Sequence, residues 1–231
     1  MMQFGLLKGE TMREYKVGVI RVLTTEDEEL LNLHGKLLEQ YYPMFRTVSR
    51  CIPEQYEGIH DEETEKIAIP KIVALAKEMA DDGCEAIIIS CADDPAVNEC
   101  REAVSVPVIG GGRSTAALAM YYGDKPAGIG ITDFLPVGYE AVFRDRLVGY
   151  TKGEGVESTL SLMTDEGYEA SRRAVSSEKE KGADVIALCC TGMSTVGIRK
   201  SLEQDLGLPI MDPVMSEGLI TLYELLRREY K

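Results

Sequence analysis

The chain has 231 residues, 45% of them hydrophobic and 28% charged, with 22 glycines and 9 prolines. This is the composition of a globular chain long enough to bury a sizeable core, neither low-complexity nor disordered. With 39 acidic against 25 basic residues the formal charge is −14, which removes the usual electrostatic drive toward nucleic acid or an anionic membrane surface.

Residues 1–14 read as a lead-in, with Met12 just before the first strand-like segment. They lack the basic region and long apolar stretch of a signal peptide. No apolar run approaches the ~20 residues that span a bilayer. The six cysteines (51, 84, 91, 100, 189 and 190) are not spaced like a small secreted scaffold, so free thiols and a cytoplasmic location are expected.

Residues 16–23 (KVGVIRVL) predict a strand. Thr25 and Glu28 form a T-x-x-E capping box, followed by Leu30, Leu31, Leu37, Leu38 and Tyr41 at mostly helical spacing. A second strand is expected over 45–52. Asp61 can cap a long helix carrying Ile67, Ile72, Leu75 and Met79 and ending near Gly83. Pro70 either kinks that helix or begins it. Residues 86–90 (AIIIS) and 106–109 read as buried strands. Beyond them come a helix from near Ser114, a strand over 127–132 and a helix over 136–147. Residues 150–162 read as a loop with a short strand. A helix over 166–181, a strand over 184–188, a helix over 195–206, a strand over 208–211 and a terminal helix over 213–228 complete the chain. Strands alternating with helices throughout predict an α/β fold with parallel sheets covered on both faces.

Two segments about a hundred residues apart echo one another. GCEAIIISCADDPAV from Gly83 leads to VPVIGGG at Val106, and GADVIALCCTGMSTV from Gly182 leads to LPIMDPV at Leu208. In each, a helix-ending Gly precedes an apolar strand, and a Cys lies eight positions later: Cys91 and Cys190. Each Cys is followed by a small polar turn, a helix and a Pro-led strand. Such a pair suggests two lobes related by a pseudo-twofold, with both thiols at the carboxyl ends of strands, where ligands of parallel sheets sit. Both are expected just before a helix N-terminus, where backbone amides favour thiolate. Cys51, Cys84, Cys100 and Cys189 read instead as buried small hydrophobes.

Two thiols facing each other across a cleft suit inversion of a carbon next to a carbonyl. One thiolate removes the α-proton from one face, and the opposite thiol delivers a proton to the other. No metal or cofactor is required by that chemistry.

With Cys91-Ala92-Asp93-Asp94-Pro95 before Pro107-Val108-Ile109-Gly110, and Cys190-Thr191-Gly192-Met193 before Pro209-Ile210-Met211-Asp212-Pro213, the chain resembles the aspartate/glutamate racemase superfamily. Within it, the resemblance is to the hydantoin racemase branch and runs from about Lys16 onward. It implies two Rossmann-like lobes, residues 15–113 plus 212–231 and residues 114–211, with the active site between them. It also implies cofactor-independent two-base proton transfer through Cys91 and Cys190, a small-molecule substrate and a homo-oligomer. The branch's Asn-Pro-Asn-Thr after the first strand is replaced here by Arg21-Val22-Leu23-Thr24, and the second motif has Cys189 where many relatives have Gly.

Thr24, Thr132, Thr191 and the amides around Asp93, Gly110 and Gly192 are expected to hold the substrate. Arg21 reads either as a bidentate clamp for a substrate carboxylate or as a surface partner of Glu26 or Asp27. Thr132 could equally cap the next helix. Gly110-Gly111-Gly112 lacks the G-x-G-x-x-G spacing of nucleotide sites and reads as a substrate-facing turn. His34 and His60 are too scattered for a zinc site, and Asp61-Glu62-Glu63 reads as a solvated helix start. Rival readings are an aspartate racemase, a maleate isomerase and a non-catalytic small-molecule binding protein. An arylmalonate decarboxylase would use one cysteine, at the position of Cys190, so Cys91 argues against it.

Overall fold

The structure, a computed structural model, describes residues 13–59, 61–156, 159–162 and 164–230. Residues 1–12 of the lead-in, His60, and residues 157–158 of the ambiguous segment lie outside the described residues. The first sheet is built from β1 (Tyr15–Arg21), β2 (Phe45–Cys51), β3 (Ala86–Ile89) and β4 (Val108–Gly110). They pair in parallel in the order β2-β1-β3-β4. The second sheet repeats the plan with β5 (Pro126–Gly130), β6 (Gly149–Lys152), β7 (Val185–Leu188) and β8 (Ile210–Met211), ordered β6-β5-β7-β8. The α/β class and the paired parallel sheets stand as the sequence predicts.

The inner strands β1, β3, β5 and β7 are buried on both faces, which is why they read as largely apolar runs, whereas the edge strands β2 and β6 are polar and only half-buried. In the first sheet, Val17, Val19, Ala86 and Ile88 pack on one side, and Ile20, Ile87 and Ile89 on the other. The first side is covered by α1 (Glu28–Tyr41) and by the last helix, α10 (Pro213–Glu229), through Leu38, Val214 and Leu225. The other is covered by α2 (Glu62–Asp81) and α3 (Val97–Ala103). In the second sheet, Val185 and Ala187 face α4 (Gly111–Tyr122) and α5 (Val137–Phe143). There Ile186 and Leu188 face α7 (Asp165–Glu180) and α9 (Arg199–Leu206). A short α6 (Thr159–Leu162) and α8 (Thr191–Val196) complete the set. In each sheet the strand order reverses between the first and third strands, and ligands of open parallel sheets collect beyond that point.

The echoed glycines share one local device. Gly83 and Gly182 adopt φ of +83° and +100°. Gly83 N–H bonds to Ala80 O and Cys84 N–H to Met79 O, while Gly182 N–H bonds to Lys179 O and Ala183 N–H to Glu178 O. These are two Schellman stops, each launching a strand that ends two residues short of Cys91 or Cys190. A Cβ at Gly83 meets nothing within 4 Å, so Gly83→Ala should lose only backbone conformational energy. About 1–2 kcal/mol is expected from urea unfolding of the variant.

Three local expectations are corrected. The first helix is capped by Asp27, whose carboxylate accepts from Glu29 and Leu30 N–H, rather than by a Thr25/Glu28 box; a carboxylate at that position meets the helix dipole better than a neutral hydroxyl. The second helix is capped by Asp61 and ends at Asp81, near Gly83 as expected, so of the two readings of Pro70 the one that begins the helix there is overturned. Pro70 and Lys66 are exposed, so water can serve the Lys66 carbonyl that proline leaves without an amide. The single helix expected over 195–206 is two helices, parted where Gly197 takes a φ of +68°.

Candidate active site

Cys91 lies two residues beyond β3, where the Ser90 N–H bonds to Ile20 O and anchors the strand end. From there the chain turns sharply, with Asp94 and Ala96 at positive φ. The Asp94 carboxylate steadies this turn by accepting from the N–H groups of Gly112 and Arg113, both at 2.7 Å, at the start of α4. Burial pushes Asp94 up to about 6, against the pull of those two N–H groups and of Arg113.

The glycine triplet takes its meaning from this contact. A Cβ on Gly110 would collide with the Asp94 carboxylate, and one on Gly112 with the Ala92 carbonyl. The anion at this helix N-terminus is therefore the protein's own. The substrate-facing role expected of Gly110 is corrected accordingly: its small size admits Asp94, and it does not border the cavity described next.

Cys190 is itself the N-cap residue of α8, in an extended conformation, and the preceding Cys189 N–H bonds to Ile129 O. The two turns converge on one cavity of about 460 Å³, bordered by both Cys91 and Cys190. Ala92 and Asp93 extend the first side, and Cys189 and Thr191 the second. The loop after β5 closes the cavity with Ile131, Thr132, Phe134, Pro136 and Val137, and the start of α2 adds Ile59, Asp61, Glu62 and Glu65. No Lys or Arg is among the described lining residues.

The two thiols are not equivalent. Cys91 is followed by a turn, with α3 beginning only at Val97, so the helix N-terminus expected to favour its thiolate is absent. Burial pushes the Cys91 thiol up, with the Asp93 backbone N–H at its sulfur opposing and the nearby Asp93 and Asp94 charges adding to the rise. Asp93 is raised by its own burial, partly offset by a hydrogen bond from the Val137 N–H.

Of the other expected site residues, Asp93, Thr132 and Thr191 border the cavity. Thr132 does not cap the next helix: its hydroxyl donates to Phe134 O at 2.8 Å and sits 3.1 Å from the Tyr150 hydroxyl. Thr24 lies elsewhere. Its hydroxyl donates to Ile52 O at 2.6 Å and accepts from Gln55 N–H at 2.7 Å, so it staples the loop after β2. Gly192 is buried inside α8 and does not border the cavity.

Arg21 is neither a clamp in the cavity nor a surface partner of Glu26 or Asp27. It is 6% exposed, and its guanidinium donates to Leu30 O at 2.7 Å in α1. Burial lowers its pKa against the attraction of Glu217, Cys91 and Cys51. Cys84, Cys100 and Cys189 are buried, whereas Cys51 is half-buried. Cys189 packs with Tyr139 and Phe143 as expected but also touches the cavity wall.

The apolar wall of Phe134, Pro136 and Val137 escaped sequence reasoning. A Pro-flanked apolar segment straight after a strand was its only signal. Among the described residues, no three His, Cys, Asp or Glu side chains are grouped to hold a metal ion, and no helix is long and apolar enough to cross a membrane.

The sequence profile described as Asp/Glu/hydantoin racemase matches residues 28–216. A hydantoin racemase of Pseudomonas sp. (strain NS671) is 28% identical over 181 residues, covering 71% of this chain and 66% of its own length. A hydantoin racemase of Rhizobium meliloti is 27% identical over 184 residues, covering 73% and 72%. Among solved structures, the allantoin racemase from Klebsiella pneumoniae superposes with a TM-score of 0.81 at 19% identity, over 93% of this chain and 89% of that one.

Proposed function

The chain belongs to the Asp/Glu/hydantoin racemase family, and from that membership we propose that it is a cofactor-independent racemase of a carbon acid such as a 5-substituted hydantoin. The observation that carries this reading is that two thiols from two echoed turns border one cavity. The same reading assigns residues 15–113 with 212–231 to one lobe and 114–211 to the other, one parallel sheet in each.

In one direction a thiolate takes the hydrogen of the stereocentre as a proton, and the C–H electron pair passes onto the adjacent carbonyl oxygen. The opposite thiol then gives its proton to the other face, forming the new C–H bond and leaving its own sulfur as thiolate. Burial keeps Cys91 protonated, so Cys91 enters as the donor and Cys190 is the base in that direction. Asp93, whose backbone N–H already meets the Cys91 sulfur, holds the donor in place. Thr191 is the lining hydroxyl nearest Cys190 in sequence and is assigned to the substrate's polar edge.

Four carboxylates and no Lys or Arg among the described lining residues favour a substrate without a carboxylate of its own. That supports a hydantoin over free aspartate or maleate. The apolar wall of Ile131, Phe134, Pro136 and Val137 suits the ring's 5-substituent.

Single enantiomers of 5-substituted hydantoins, and of free aspartate, incubated with the protein in deuterium oxide provide the test. Loss of optical rotation with deuterium at the stereocentre of the hydantoin is the expected result. Inertness toward every hydantoin, or inversion without solvent deuterium, would overturn the proposal.

A further inference from the structure

Behind the Cys91 turn, on the side away from the cavity, runs a buried polar chain that the proton transfer does not use. Ser90 Oγ donates to Glu217 Oε1 at 2.6 Å, His34 Nδ1 lies 2.9 Å from Ser90 Oγ, and His34 Nε2 lies 3.0 Å from Thr195 Oγ1. His34 and Glu217 are fully buried, and Ser90 is nearly so. The four residues come from α10, the end of β3, α1 and α8.

The hydrogens along this chain follow from one assignment. Ser90 has a single hydroxyl hydrogen, which goes to Glu217, so its oxygen must accept from His34 Nδ1–H. Nε2 is then the bare nitrogen and accepts from the Thr195 hydroxyl. Burial, aided by the Arg21 charge, keeps the imidazole neutral, consistent with one hydrogen on the ring. Burial also pushes the Glu217 carboxyl well above the usual range. Its second oxygen, Oε2, is buried with no hydrogen-bond partner among the described residues. Gly111 makes room for it, since a Cβ there would stand 2.8 Å from Oε2. An unpartnered buried oxygen costs stability, and its retention calls for a role.

The placement supplies one. Ser90 directly precedes Cys91, and the Cys91 N–H bonds to Ile89 O at 2.8 Å, closing a tight turn centred on Ser90. Fixing Ser90 to α1 and α10 therefore fixes the turn from which Cys91 reaches the cavity. At the other end, Thr195 belongs to the helix that Cys190 caps. A second tie, Ser194 Oγ to Asp212 Oδ1 at 2.9 Å, holds the same helix to the start of α10.

We propose that Glu217, Ser90, His34 and Thr195 form a positioning strut that sets the placement of Cys91 relative to Cys190. The strut's effect on turnover rests on the racemase reading; its effect on the two thiols does not. Ser90→Ala and Thr195→Val should each lower kcat by roughly ten- to a hundredfold with KM unchanged, the scale of a small misplacement of reacting groups. Each should also alter the ratio of iodoacetamide alkylation rates at Cys91 and Cys190, read by peptide mass spectrometry without substrate. Glu217→Gln keeps an oxygen for Ser90 and should retain most of kcat and the wild-type ratio, whereas Glu217→Leu should behave like Ser90→Ala. Variants that melt earlier but keep the wild-type kcat, KM and alkylation ratio would reduce the chain to a structural role. So would Glu217→Gln failing as badly as Glu217→Leu. Should the native protein racemise nothing, the alkylation ratio alone still decides the strut.

Discussion

Cys91→Ser and Cys190→Ser are each expected to lower racemisation by roughly 10²–10⁴-fold, the range a positioned acid or base contributes. A serine hydroxyl occupies nearly the same space but gives up its proton far less readily than a thiol, so binding should survive while turnover fails. The two variants should also fail differently. With one thiol left, the hydrogen on that sulfur's face can still be removed and returned from solvent, so a single enantiomer exchanges deuterium without inverting. Cys91→Ser and Cys190→Ser should spare exchange in opposite enantiomers, followed by chiral chromatography with mass detection. Wild-type racemisation in either variant would end the two-base assignment.

Gly112→Ala should disrupt the turn that carries Cys91. The added Cβ would lie closer to the Ala92 carbonyl oxygen than the 3.0 Å that real Cβ contacts respect, and within 3.2 Å of the Asp94 carboxyl carbon. Neither neighbour yields easily. Ala92 is backbone in the turn that carries Cys91, and Asp94 holds the N–H groups of Gly112 and Arg113. Overpacking of this kind costs about 1–3 kcal/mol, and the loss of the Asp94 contacts would add to it. Chemical denaturation of Gly112→Ala against wild type measures the loss, and a variant within 0.5 kcal/mol of wild type, the usual scatter of harmless substitutions, would show that the turn can move.

How much was legible follows from where each residue finds its partners. The inner strands were readable because both their faces are buried, and Gly83 and Gly182 because a left-handed helix stop leaves a local mark. Cys91 and Cys190 were readable through repetition. Their shared location needed only the rule that parallel sheets bind at strand ends.

Arg21, Thr24 and Gly110 misled because each is satisfied by something distant or unmarked in sequence. The carbonyl of Leu30, the loop at 52–55 and the carboxylate of Asp94 carry no pattern that points back to them. Glu217 looks like one more charge on an amphipathic terminal helix, and only the packed structure shows it wholly enclosed. The rise at Cys91 was hidden for the same reason. Its cause is desolvation by surrounding elements, whereas the sequence displays only the adjacent turn.

The closing helix has a bearing on how the molecule is made. Val214 and Leu225 complete a cluster with Tyr15, Val17 and Val19, about two hundred residues earlier in the chain. During synthesis, the strands of the first sheet must wait with that apolar surface incompletely covered until α10 clears the ribosome. The later sheet, whose strands all fall between Pro126 and Met211, has no such delay. The first sheet is thus finished after the second, and a nascent chain stalled short of Pro213 would leave a sticky surface for chaperones to shield.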